Sequence, residues 1–112
     1  MQIDERAVGD VTVLDLKGKI TLNEGDEVLK DKINSLIMQG KKKILLNLAG
    51  VPYLDSGGLG ELVRCSVITG RASGAVKLVN LTSRITDLLS ITKLSNVFDT
   101  FDSEPEALAS FQ

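Results

Sequence analysis

A single serine in a glycine-rich stretch has the surroundings that most directly suggest chemistry. It is Ser56, within the run Leu54-Asp55-Ser56-Gly57-Gly58-Leu59-Gly60. The pattern predicts that a helix opens here, although each helical glycine costs about 1 kcal/mol relative to alanine. The glycines therefore indicate a backbone that must stay bare, so that another molecule can close over the serine. Because helix starts favour negative charge, a phosphate carried by Ser56 would be stabilised there, with opposition from Asp55.

Other interpretations of the same run are less specific or lack required residues. The simplest is that Asp55 or Ser56 only caps the helix, since both residue types are favoured N-caps. A P-loop is excluded because Glu61 follows Gly60 where lysine is needed, and the run does not match the dinucleotide-binding G-x-G-x-x-G fingerprint. A hydrolase-type serine elbow lacks its first glycine and a histidine base. A Ser-Lys dyad is open by composition, but no lysine can be placed near Ser56.

The composition excludes further classes of chemistry. The chain has 112 residues, no histidine and one cysteine. These absences remove Ser-His-Asp and Cys-His catalysis and most zinc and haem sites. Cys65 lies in a helical pattern and is expected to be a semi-buried small side chain. We therefore expect a protein that is not an enzyme, with no metal and no cofactor of its own.

Charge and hydropathy also limit the partners and the compartment. The formal net charge is −2, and Lys41, Lys42 and Lys43 form the only basic cluster, expected to be a solvated turn. This balance gives no electrostatic basis for binding nucleic acid or an anionic membrane. No segment approaches the roughly 18 apolar residues of a membrane span, and the N-terminus does not resemble a signal peptide. A cytoplasmic protein is expected, in agreement with its single cysteine.

Hydrophobic periodicity predicts strands and helices that alternate after an initial hairpin. Strands are predicted at residues 3–8, 11–17, 44–48 and 76–79, with a brief edge strand at 96–98. Helices are predicted at 24–39, 56–72, a segment after Thr82 or Ser83, and a short segment opened by Pro105. We expect residues 1–112 to form one α/β domain, with four helices and a mostly parallel mixed sheet of 4–5 strands that begins with an antiparallel hairpin. Ser56 then lies beyond the carboxyl end of a strand, where such folds build their sites.

The order of these elements, together with one long motif, resembles the STAS family, the anti-sigma factor antagonists of bacteria. The most specific part is Leu46-Asn47-Leu48 followed by Tyr53-Leu54-Asp55-Ser56-Gly57-Gly58-Leu59-Gly60. Leu81-Thr82 and the later Leu94, Val97 and Phe98 also look like the second half of the family pattern. The resemblance covers nearly the whole chain.

The resemblance implies a regulatory protein without catalytic activity. In this family the serine after the aspartate, here Ser56, is phosphorylated by an anti-sigma factor that is also a serine kinase. The unphosphorylated form binds that kinase and releases the sigma factor, a PP2C-type phosphatase resets the switch, and ATP is the cofactor of the kinase. The partner-binding residues implied by the motif are Thr21, Asn23, Asp55, Ser56, Gly57, Gly58 and Leu59.

The chain departs from the family pattern at two positions. Thr21 stands where many members have aspartate, so Asn23 or Glu24 is expected to substitute, and Gly57 stands where serine, threonine or alanine is frequent. Some members have lost phosphorylation, which leaves an unswitched scaffold module of a signalling complex as the alternative. A small nucleotide- or ligand-binding domain is a third hypothesis. The chain is expected to be a monomer or a weak homodimer.

Overall fold

The computed structural model describes residues 1–112 and contains five strands and four helices in the predicted order. The strands are β1 (Gln2–Val8), β2 (Val11–Lys17), β3 (Lys43–Gly50), β4 (Ala75–Val79) and β5 (Asp99–Phe101). The helices are α1 (Asp26–Met38), α2 (Ser56–Arg71), α3 (Ser83–Ile91) and α4 (Glu104–Ala109). One sheet has the order β1-β2-β3-β4-β5, antiparallel between β1 and β2 and parallel elsewhere. The predicted α/β architecture is confirmed.

The sheet is covered by helices on both faces. Ile44, Leu46 and Leu48 of β3 belong to the main core, together with buried residues of α1, α2 and α3. Leu45 belongs to a smaller cluster with Ala107 of α4. Alternate residues of a strand point to opposite faces, so this short apolar run supplies both layers. The prediction that this strand is covered on both faces is confirmed.

The predicted edge strand at residues 96–98 is wrong, because pairing starts later. Strand β5 pairs with β4 from Asp99, which lies opposite Lys77. The residues before it form a turn in which the Val97 N–H donates to the Leu94 carbonyl at 3.0 Å. Phe98 is only 4% exposed and packs in the main core. The buried Phe98 side chain therefore holds the turn that precedes β5 against the core, and Phe98 is not part of the strand.

The helix predicted from residue 24 begins at Asp26 instead. A tight turn occupies the preceding residues, in which the backbones of Thr21 and Glu24 exchange two hydrogen bonds of 2.8 and 3.1 Å. Asn23 and Gly25 have positive φ angles of 76° and 86°, which a right-handed helix does not allow. We call residues 20–25 the β2–α1 turn.

A chain of polar side chains joins the sheet on the face that α4 covers. Arg6 on β1 donates two hydrogen bonds to Asp15 on β2, at 2.7 and 3.0 Å, and one of 2.6 Å to Glu104 on α4. Asn47 on β3 donates to the same Asp15 carboxylate at 2.8 Å and accepts from Asn80 at 3.1 Å. The hydrogen bonds from Arg6, and then from Asn47, hold the pKa of Asp15 below its ordinary value, against the opposing effect of burial.

Asp15→Asn is expected to lower the free energy of unfolding at pH 7 more than at pH 3. A carboxyl group whose pKa is depressed by folding stabilises the folded chain above its unfolded pKa of about 3.9, and this stabilisation is lost as the pH falls. Urea unfolding of wild type and variant at both pH values measures the difference. Asp31→Asn, at an exposed α1 residue without an ion pair, is the control. A difference for Asp15→Asn that stays the same at both pH values would contradict the prediction.

Candidate functional site

Helices α2 and α3 begin side by side at one edge of the sheet. Strands β3 and β4 are parallel neighbours, so their carboxyl ends lie together and the helices that follow them start together. Between the two helix starts lies an open groove of about 690 Å³. Its lining includes Tyr53, Asp55, Ser56, Arg84, Asp87 and Ile91. We call it the Ser56 groove, and it lies beyond the carboxyl ends of two parallel strands.

Ser56 is exposed and is the first residue of α2. The cap is Asp55, whose Oδ1 accepts a hydrogen bond of 2.8 Å from the Gly58 N–H. The simple interpretation of a capping residue is therefore correct for Asp55. Because Asp55 provides the side-chain cap, the hydroxyl of the exposed Ser56 has no capping role.

The β2–α1 turn is attached directly to the segment that leads into α2. The Ile20 N–H donates to the Tyr53 carbonyl at 3.1 Å, and the Asp55 N–H donates to the Ile20 carbonyl at 3.4 Å. Ile20 and Leu54 thus form a short parallel bridge beyond the ends of β2 and β3. This bridge brings the turn that contains Thr21 and Asn23 beside the first turn of α2.

The glycines in the first turn of α2 have different surroundings. For two of them, the surroundings give a reason for glycine that differs from the predicted one. A Cβ on Gly57 would lie 2.8 Å from the Cβ of Leu22, and a Cβ on Gly58 would overlap the Ile20 carbonyl oxygen. Around Gly60 a Cβ would meet nothing within 4 Å. The expectation that the bare backbone serves an incoming partner is wrong as the explanation of Gly57 and Gly58, because the chain itself fills that space. Among these three glycines, only Gly60 has open space around it.

The predicted partner-binding residues fall into a surface set and a buried set. Asn23 and Ser56 are exposed, and Thr21, Asp55 and Gly57 are partly exposed. Gly58 is buried and Leu59 is 5% exposed, within the main core. These two residues hold the first turn of α2 against the interior of the protein. Contact of all seven with a partner stays a prediction.

Sequence reasoning missed several residues that flank Ser56. Leu22, Tyr53 and Ile91 are exposed to 66%, 41% and 79%, and each lies on the β2–α1 turn or the Ser56 groove. The guanidinium carbon of Arg84 lies 5.9 Å from the centre of the Tyr53 ring, within range of a cation–π interaction. The signal that could have placed Arg84 is its position in the first turn of the helix that follows β4, the parallel neighbour of the strand that leads to Ser56.

Cys65 is fully buried on the inner face of α2, deeper than the predicted semi-buried position. Burial, with a smaller contribution from Glu61, raises the pKa of the thiol to about 12. The thiol is therefore protonated at neutral pH and is not a nucleophile.

No cluster of three or more histidine, cysteine, aspartate or glutamate side chains is arranged to hold a metal ion. None of the helices has both the length and the apolar character needed to span a membrane.

Comparison with known proteins gives a consistent match. A family model described as STAS domain matches residues 2–107. The anti-sigma-B factor antagonist of Bacillus subtilis (strain 168) is 36% identical over 72 residues, 64% of this chain and 65% of that protein. A Thermotoga neapolitana protein, named as a candidate anti-sigma factor antagonist, is 29% identical over 107 residues, 96% of this chain and 95% of that protein.

The fold is also shared with a solved structure of known modification state. The Bacillus cell fate determinant SpoIIAA, in its phosphorylated form, has a TM-score of 0.75 to this chain. The two are 20% identical, and the match covers 99% of this chain and 100% of SpoIIAA. At this level of identity the likeness shows a common fold.

Gly58→Ala and Gly60→Ala form a matched pair with opposite expected effects on stability. Alanine at residue 58 would overlap the backbone of Ile20, which overpacks the bridge and costs about 1–3 kcal/mol. Alanine at residue 60 enters open space and favours the helix by about 0.5–1 kcal/mol. Urea unfolding of both variants measures the two changes. Equal effects would show that the β2–α1 turn does not constrain the first turn of α2.

Proposed function

The chain belongs to the STAS domain family, and from this premise we propose that it is an anti-sigma factor antagonist switched by phosphorylation of Ser56. The unphosphorylated form binds an anti-sigma factor that is also a serine kinase, so that the sigma factor is released. The kinase transfers phosphate from ATP to Ser56, and a PP2C-type phosphatase removes it. The chain itself acts in the cytoplasm as a binding protein, without catalysis or a cofactor.

The observation that carries this proposal is the position of the Ser56 hydroxyl. It is exposed at the first residue of α2, while Asp55 takes over the capping of the helix. A kinase can therefore reach the hydroxyl without unfolding the helix start. Further support comes from relatives named anti-sigma factor antagonists and from SpoIIAA, a protein of the same fold whose structure is known in a phosphorylated form.

The surface around Ser56 has the composition of a docking site. Leu22 packs against Gly57, and Tyr53 lines the groove with Ser56; both side chains are exposed and apolar. Thr21 and Asn23 add polar groups on the same β2–α1 turn as Leu22. Burying one such apolar side chain in an interface contributes about 1.5–3 kcal/mol. The rigid attachment of the β2–α1 turn to α2 presents these residues as one preformed surface, which lowers the ordering cost of binding.

Phosphate at Ser56 opposes such docking by its charge. It adds about −1.5 to −2 charges at neutral pH, next to the Asp55 carboxylate. A partner that covers this position must desolvate the phosphate or supply a cation. A loss of about 3 kcal/mol lowers the affinity roughly a hundredfold, since about 1.4 kcal/mol is tenfold. The switch therefore requires no large change of the fold.

We predict that the chain gains one phosphate, on Ser56, when it is incubated with ATP and an extract of its host. Intact mass and peptide mapping measure the gain and its position. Ser56→Ala should gain none, because the acceptor hydroxyl is absent. Ser83→Ala, which removes an exposed hydroxyl at the facing helix start, should be phosphorylated like the wild type.

The two negative outcomes differ in meaning. Phosphate on another residue would contradict the assignment of Ser56. No phosphate at all, with the kinases of the extract shown to be active, would favour the unswitched scaffold module. In that case light scattering at several concentrations should reveal stable self-association or constitutive complexes.

Leu22→Asp is predicted to slow the phosphorylation of Ser56 about tenfold. The substitution places a charge on exposed apolar surface beside Gly57, and the loss of about 1.4 kcal/mol of docking energy corresponds to that factor. Met38→Asp is the matched control, since Met38 is 88% exposed at the far end of α1. Equal initial rates for both variants and the wild type would contradict a docking role for the β2–α1 turn.

A further inference from the structure

We propose that Arg84 binds the phosphate of phosphorylated Ser56, within the Ser56 groove of the same chain. This assignment rests on the proposed phosphorylation and extends it, because it names the residue that receives the new charge. Ser56 and Arg84 both line this groove, and they lie in the first turns of α2 and α3. The consequence is a switch in which the modified serine is drawn into a groove of its own protein.

The α2 start offers a phosphate on Ser56 less than a free helix end would, because Asp55 already occupies one of its N–H groups and adds a like charge. The Gly58 N–H, which would otherwise be open to an anion, already donates to Asp55 at 2.8 Å. The groove also carries the carboxylates of Asp55 and Asp87. Without a counter-charge, the phosphate would face two like charges. A basic residue that lines the same groove would therefore stabilise the phosphorylated form.

Arg84 is that residue, and its guanidinium is available. It forms no ion pair in the chain, and its contact is with the ring of Tyr53, 5.9 Å from the ring centre. Arg6 and Arg64 differ, because they are paired with Asp15 and Glu61 respectively. A weak cation–π contact on an exposed ring can be exchanged for a stronger charge-assisted interaction with phosphate.

Arginine also has the appropriate geometry for this role. Its planar fork donates two parallel hydrogen bonds to a phosphate, which holds the group in one orientation. A phosphate held by both Ser56 and Arg84 would occupy part of the groove, whose lining also includes the exposed apolar side chains of Tyr53 and Ile91. Phosphorylation would then block a docking surface by filling it, in addition to repelling the partner by charge.

The test places phosphoserine at residue 56 during synthesis, by codon suppression in the full chain, so that no kinase is needed. A ³¹P NMR titration then measures the second pKa of the phosphate, which is ordinarily about 6. A neighbouring guanidinium favours the dianion. We therefore expect the pKa in Arg84→Gln to be higher than in the unsubstituted phosphoprotein by about 0.5 pH unit or more.

Arg71→Gln is the matched control for this titration. It removes the same charge from an exposed position about 22 Å along α2 from Ser56. The phosphate pKa should remain at the unsubstituted value in this variant, and Arg84→Lys should restore part of the lowering. An amide ¹H–¹⁵N spectrum verifies that each variant is folded.

Two results would overturn the assignment: an equal phosphate pKa with and without Arg84, or an equal change from Arg71→Gln. Neither depends on whether a kinase modifies the chain, because the phosphoserine is installed directly. Failure of the phosphorylation assay and failure of the Arg84 assignment are thus distinguished.

Discussion

The rest of the site depends on the close approach of two backbone segments. These are Ile20–Leu22 in the β2–α1 turn and Gly57–Gly58 in α2. A Cβ on Gly58 would overlap the Ile20 carbonyl oxygen, and a Cβ on Gly57 would press on Leu22. The same Ile20 carbonyl accepts the Asp55 N–H, which places Asp55 to cap α2. Because residues 57 and 58 are glycines, the β2–α1 turn can pack directly against the first turn of α2. The turn, the Asp55 cap and Ser56 therefore form one continuous surface.

The sheet below this surface explains why both sides of the groove come together. Helices α2 and α3 follow neighbouring parallel strands, so their starts share one edge. On the other face, the side chains of Arg6, Asp15 and Asn47 connect β1, β2 and β3, and Glu104 fastens α4 to them. The groove is therefore built on elements that are held from both layers of the fold.

Charge and shape act together in the proposed switch. Asp55 stabilises the helix start by hydrogen bonding, but it also makes the neighbourhood of Ser56 more negative. A phosphate added there is repelled by Asp55 and attracted by Arg84, which both line the groove. The two effects oppose each other within one groove, so the proposed pairing requires the attraction of Arg84 to exceed the repulsion of Asp55. In the unmodified protein Arg84 contacts the Tyr53 ring and forms no ion pair, so its positive charge is free to bind the phosphate.

The sequence determined the element order, the antiparallel hairpin and the position of Ser56 at a helix start, because hydrophobic periodicity and capping are local properties of the chain. It also determined that β3 is covered on both faces, from the unbroken apolar run Ile44-Leu45-Leu46. Only the tertiary structure decided why Gly57 and Gly58 are glycines, since Ile20 and Leu22 are more than 30 residues away in the chain. It likewise decided the start of β5 and the presence of Arg84 in the same groove as Ser56. Those features arise from contacts between distant segments, which local patterns do not encode.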